Sequence, residues 1–147
     1  MSKTRIICHI VFATKAREKS INPEYKRDLY KYIYGIIKNH KCFTKRINGM
    51  SDHVHILLDL SPSIALSDLM EKIKSSSSLW LKSNPNFKKF KGWGRGYYAE
   101  SIGREGEAAC YTYICNQEVH HKDHSLSEEL EYLIKSIGME WYPDELG

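Results

Sequence analysis

Cys42-Phe43-Thr44-Lys45-Arg46-Ile47-Asn48-Gly49-Met50-Ser51-Asp52-His53-Val54-His55-Ile56-Leu57-Leu58-Asp59-Leu60 is the stretch on which the fold turns. Residues 42–50 read as one strand, with Asn48-Gly49 near its end, and residues 53–60 read as a second. They follow each other too closely for a crossover, so they pair as an antiparallel hairpin. Upstream, Ile6, Ile7, Ile10, Val11 and Phe12 make residues 5–14 a buried strand. Asn22-Pro23 offers an N-cap followed by a first-turn proline, and Leu29, Tyr32, Ile33, Ile36 and Ile37 then repeat at helical spacing to about residue 40.

Downstream, Pro62-Ser63 opens a second helix with Leu66, Leu69, Met70, Ile73 and Trp80 as its stripe. Ser75–Ser78 within it are poor helix formers, small enough to admit a close approach of backbone or ligand. Gly92, Gly94 and Gly96 mark a loop, and residues 97–102 a fourth strand. Residues 105–121 read as one helix, and Ser125 with Glu128 as the capping box of a last helix to about residue 137. The order β-α-β-β-α-β-α-α predicts an α+β, ferredoxin-like (RRM-like) antiparallel sheet with helices packed on it. Without a repeat or a linker, residues 1–147 are expected to be one domain.

Composition narrows the function. At 147 residues, 41% hydrophobic and 27% charged, the chain is an ordinary globular one and not a disordered tail. Its apolar runs fall short of the roughly 20 residues of a membrane span, and the N-terminus lacks a signal-peptide core, so a cytoplasmic protein without a membrane partner is expected. Cys8, Cys42, Cys110 and Cys115 form no C-x-x-C pair, which argues against a zinc ribbon or a thioredoxin-like redox site. The net charge of +4 is unevenly spread: +9 over residues 1–50, −4 over 51–71, +7 over 72–99 and −8 over 100–147. The seven basic side chains of 72–99 have no carboxylate among them, which suits a polyanion-facing surface.

Chemistry concentrates in two places. In a strand, His53 and His55 point to one side and Val54 to the other, so two imidazoles can share a divalent ion. On a helix, Tyr113 and Gln117 stand one turn apart on one face, able to meet the same metal-bound phosphate. His121, a further turn on, is a rival ligand or a DNA contact, but the preferred reading of His120, His121 and His124 is of residues that favour a helix C-terminus. Between these elements Trp80, Phe87, Phe90, Trp93, Tyr97 and Tyr98 interleave with Lys72, Lys74, Lys82, Lys88, Lys89, Lys91 and Arg95. Aromatic faces beside cations are the make-up of a single-strand nucleic-acid groove. Trp80 and one of the two tyrosines are expected in the core.

His53-Val54-His55 after Ser51-Asp52, Lys74 through Trp80, Trp93 before Gly96-Tyr97, and Tyr113 through Gln117 with His120-His121 occur in one order over nearly the whole chain. That ordered set resembles the single-tyrosine HUH transposases of the insertion-sequence-200/605 type. The resemblance implies a homodimer acting on single-stranded DNA with stem-loops, Tyr113 as nucleophile, and His53, His55 and Gln117 as ligands of a divalent metal. It further implies a 5′-phosphotyrosine intermediate and a free 3′-hydroxyl. Lys74, Lys82, Lys88, Lys89, Lys91, Trp93 and Arg95 are the expected DNA contacts. One departure is Glu100, a carboxylate in the fourth strand.

A free tyrosine, with a pKa of about 10, is a poor nucleophile at neutral pH. A divalent ion on two imidazoles and an amide keeps open positions to polarise a phosphate. Mg²⁺ prefers oxygen ligands and Mn²⁺ accepts imidazole more readily, so either would serve. Two other readings use the same residues. A non-catalytic single-strand-binding module accounts for the charge pattern but not for His53, His55, Tyr113 and Gln117 together. A host-serving endonuclease derived from a transposase keeps the chemistry.

Overall fold

Residues 42–60 fold back on themselves as the pattern requires, and the computed structural model, which describes residues 2–144 and 146, builds its sheet around them. Strands β1 (Ile7–Ala13), β2 (Phe43–Met50), β3 (His53–Asp59) and β4 (Tyr98–Ser101) are all antiparallel, in the order β2-β3-β1-β4. Among the described residues the α-helices are α1 (Lys26–Asn39), α2 (Leu66–Lys82), α3 (Glu107–Cys115), α4 (Gln117–His120) and α5 (Leu126–Ser136). This is the ferredoxin-like α+β order.

Helices cover both faces of the sheet, because both faces of its central strands are apolar. Cys8, Ile10 and Phe12 of β1 and Val54, Ile56 and Leu58 of β3 pack with Leu29, Ile33 and Ile37 of α1 and Leu69, Met70 and Ile73 of α2. On the other face Val11 and Ala13 meet Leu126, Leu130, Leu133 and Ile134 of α5, while Ile7 and Leu57 meet Ile114 of α3. All seven residues of β1 are buried, and each large apolar one contributes about 1.5–3 kcal/mol by leaving water. His53 and His55 therefore project from a rigid central strand into the layer formed by α3, α4 and α5.

The hairpin turn falls at Ser51-Asp52, and Gly49 pairs with Val54 inside the ladder. A Cβ at Gly49 would lie 2.2 Å from the His53 carbonyl oxygen. Gly49→Ala is expected to force the two strands apart and to cost about 2 kcal/mol, read as a lower midpoint in urea at unchanged slope.

Three helix boundaries differ from expectation. Asn22 caps a turn instead of the helix: its Oδ1 accepts the Glu24 N–H at 3.0 Å, and α1 begins only at Lys26. Likewise Ser61 Oγ accepts the Ser63 N–H at 3.2 Å in a turn that delays α2 to Leu66. The single helix expected over 105–121 is broken at Asn116, where φ is −96° and ψ 22°. Asn48 of β2 explains the break, because its Nδ2 donates to the carbonyls of Ile114 at 2.9 Å and Cys115 at 3.3 Å. The capping box at Ser125 and Glu128 is present as read.

The serine run is helical, and its smallness is used by Trp93. Ser77 is fully buried, donates to the Ile73 carbonyl at 2.5 Å, and accepts the Trp93 indole N–H at 2.9 Å. Trp93 also meets the rings of Phe12 at 4.7 Å and Phe90 at 5.0 Å. Phe87 and Phe90 are core residues, not groove platforms. Of the expected core aromatics, Tyr98 is buried, whereas Trp80 is half-buried and stacked on Tyr32 at 5.0 Å. Among the described residues, no helix is long and apolar enough to cross a membrane.

Candidate active site

His53 and His55 sit at the end of β3 nearest the hairpin turn, paired across the ladder with Ala13 and Val11. Both are fully buried on the face opposite Val54. α4 brings Gln117 to them, with Gln117 Oε1 3.1 Å from His53 Nε2. Tyr113, one turn before the break at Asn116, turns its ring edge toward His55 at 5.8 Å. The four residues singled out as a chemical set thus come together within one chain. Tyr111 lies apart, 41% exposed, with the Arg46 guanidinium 5.9 Å over its ring.

At the centre of the cluster is a residue that the sequence reading did not single out. Glu129 of α5 places Oε1 3.2 Å from His53 Nε2, 3.2 Å from His55 Nε2 and 3.0 Å from His121 Nε2. Its Oε2 accepts the hydroxyl of Tyr113 and, at 3.2 Å, the amide of Gln117. A second unforeseen residue, His9 of β1, lies with Nε2 2.8 Å from His55 Nδ1. The signal for both was present. Glu129 is a carboxylate on the buried stripe of Leu126, Leu130 and Leu133, and His9 is a polar residue in a wholly buried strand. A buried polar group in such company needs a partner. His121, expected as a helix-end residue, lies instead in the cluster, 3.1 Å from Gln117 Oε1.

The electrostatics of the cluster favour a cation. Burial opposes an imidazolium at His53, but hydrogen bonds to Asp52 and Glu129, with their charges, outweigh it and raise the group to about 9. Burial dominates at His55 and His9, pushing them down to about 4 and about 3. Glu129 is held well below the usual carboxylate range: burial opposes this, and the hydrogen bonds of His121, His53 and His55 overcome it. Burial, then the charge and hydrogen bond of Glu129, raise the Tyr113 hydroxyl, so the phenol stays protonated at neutral pH.

The donors fit a divalent metal. His53 Nδ1 is hydrogen-bonded to Asp52 at 2.7 Å and His55 Nδ1 to His9, which leaves both Nε2 atoms facing inward with Gln117 Oε1. Outward hydrogen bonds of this kind fix a histidine ring as a ligand. His53, His55 and Glu129 each offer a ligand atom within 4.8 Å of the others. Glu100 is engaged elsewhere, accepting the Tyr98 hydroxyl at 2.8 Å.

The expected DNA contacts divide. Lys82, Lys91, Trp93 and Arg95 line one groove of about 1060 Å³ together with Lys15 and Tyr97, opposite Ile137, Met139 and Glu140. Lys88 and Lys89 line a smaller cavity with Lys19 and Asn22. Lys74 is engaged inside the protein, donating to the carbonyls of Gly94 at 2.7 Å and Gly96 at 3.0 Å, where it fixes the glycine loop.

Residues 2–117 match the family model described as transposase, IS200-like. The chain belongs to the IS200-like transposase family. Curated relatives agree with this membership. The transposases for insertion sequence element IS200 of Salmonella typhimurium and Salmonella typhi are each 33% identical over 129 residues, covering 80% of this chain and 81% of theirs. Among solved structures, a protein assigned as a transposase in Deinococcus radiodurans superposes with a TM-score of 0.59 at 23% identity, over 79% of this chain and 93% of its own. A REP-associated tyrosine transposase bound to a REP hairpin does so with a TM-score of 0.63 at 15% identity, over 82% and 74%. At these identities the two structures show a shared fold and nothing further.

Proposed function

We propose that this transposase cuts and rejoins single-stranded DNA at stem-loop-marked ends, with Tyr113 as nucleophile and a divalent metal, Mg²⁺ or Mn²⁺, at His53, His55 and Gln117. The observation that carries the reading is the convergence of the Tyr113 hydroxyl, the Gln117 amide N–H and two inward-facing histidine Nε2 atoms on one buried carboxylate, with Gln117 Oε1 beside His53 Nε2, in a chain of a transposase family. A DNA hairpin partner draws support from the REP hairpin bound by a protein of the same fold. The reading includes a homodimer and one catalytic domain over residues 1–147.

In the cleavage step Tyr113 Oη attacks phosphorus, the O–P bond to tyrosine forms, and the P–O3′ bond breaks, the departing 3′-oxygen taking up a proton from solvent to leave as a 3′-hydroxyl. The phenolic proton has an acceptor in place, Glu129 Oε2. A bound divalent ion would polarise the phosphate and offset the charge that keeps Tyr113 protonated. Asp52 and His9 hold the two imidazoles in orientation. Rejoining reverses the exchange, with an incoming 3′-hydroxyl displacing tyrosine.

The products test this directly. A cleaved stem-loop oligonucleotide should carry a 3′-hydroxyl that a polymerase extends, and a 5′ end blocked by protein. A protein-free 5′-phosphate would show hydrolysis by water instead.

The groove makes its own prediction. Reversing Lys82, Lys91 and Arg95 to glutamate should weaken single-strand binding about a hundredfold at low salt and flatten its salt dependence, with the cut position unchanged. Filter binding across a salt series measures it. An unchanged slope would remove this groove as the strand path.

A further inference from the structure

The three-ligand reading leaves the His121 imidazole and Glu129 Oε1 without a role, although both belong to the same cluster. We propose that His121 Nε2 and Glu129 Oε1 are ligands of the same divalent ion, giving a five-donor centre with His53 Nε2, His55 Nε2 and Gln117 Oε1. The inference rests on the reading of His53, His55 and Gln117 as a metal site.

Orientation is the first argument. His121 is built like the other two imidazoles, with Nδ1 held outward by the His124 carbonyl at 2.8 Å and Nε2 turned inward. All three rings are therefore fixed in the same sense, which is how a protein presents histidines to a metal. His120 is not arranged this way. Its ring stacks on His124 at 5.0 Å, and its Nε2 lies 3.5 Å from Glu129 Oε2.

Spacing is the second. Glu129 Oε1 lies 3.0–3.2 Å from three Nε2 atoms, and Gln117 Oε1 lies 3.1 Å from those of His53 and His121. Neighbouring donors around an octahedral ion with bonds near 2.1 Å stand about 3 Å apart. Charge is the third. The Glu129 side chain has no exposed surface and is ringed by imidazoles. A divalent cation compensates such a carboxylate better than one shared proton.

Both added ligands lie beyond residue 117, where the family match ends, so α5 contributes to the centre itself. An ion held by these five donors would have room for one phosphate oxygen. Three imidazoles also favour Mn²⁺ over Mg²⁺, which dehydrates reluctantly and prefers oxygen.

The experiment is Mn²⁺ titration of the metal-free full chain, with pulsed electron paramagnetic resonance of the bound ion. His121→Ala and Glu129→Gln should each weaken Mn²⁺ binding about tenfold or more. The coordinated imidazole nitrogens should number three in the unaltered chain and two in His121→Ala. The count in the unaltered chain decides the place of His121 even if a variant folds poorly, and the affinity of a folded Glu129→Gln decides that of Glu129. Two imidazoles there, with variant affinities unchanged, would overturn this proposal and leave the His53, His55 and Gln117 reading intact. Absence of Mn²⁺ binding by the unaltered chain would overturn both.

Discussion

Replacing His53 and His55 together by alanine is expected to abolish divalent-metal binding and to reduce strand cleavage below detection. The two rings supply the inward Nε2 atoms of β3, and without them the ion keeps no ligand from the sheet. Stability should fall too, because Glu129 loses two of the groups that compensate its buried charge. Leaving a buried carboxylate underpaired costs about 3 kcal/mol or more, so circular dichroism must accompany the assay. Cleavage at the normal rate by the folded double variant, with no bound metal, would remove the metal from the reaction.

Tyr113→Phe should separate chemistry from binding. The ring and its contacts with His9, His55 and His120 remain, and only the hydroxyl on Glu129 is lost. Mn²⁺ and stem-loop DNA should bind as before, while cleavage falls at least about a thousandfold, the scale on which a missing nucleophile acts. Calorimetry for metal, filter binding for DNA and a denaturing gel for cleavage give the three readouts. Undiminished cleavage would mean that water attacks the phosphate and that Tyr113 only packs.

The strands themselves were legible as near-continuous apolar runs, and the common facing of His53 and His55 follows from the two-residue alternation of side chains in any strand. The pairing of Tyr113 with Gln117 was legible for a different reason than the one that holds in three dimensions. An unbroken helix would place them one turn apart, yet the helix breaks at Asn116 because Asn48, 68 residues earlier, takes its terminal carbonyls. That contact is long-range, and no local pattern encodes it. Glu129 escaped because, although it lies on the apolar stripe of its helix, nothing local names its partners, and only docking of α5 brings the histidines of β3 to it. In the basic stretch, alternation of lysine and aromatic residues could not separate Phe87 and Phe90, which enter the core, from Lys82, Lys91 and Arg95, which line the groove.

The most direct test of the central claim is the position of the covalent bond. After incubation with stem-loop single-stranded DNA and Mn²⁺, nuclease trimming and proteolysis, mass spectrometry should find a nucleotide phosphate on Tyr113. Its neighbour Tyr111 should be unmodified, since it lies beside Arg46, outside the histidine cluster. A phosphotyrosine link at Tyr111, or cleavage without a link to any tyrosine, would contradict the account.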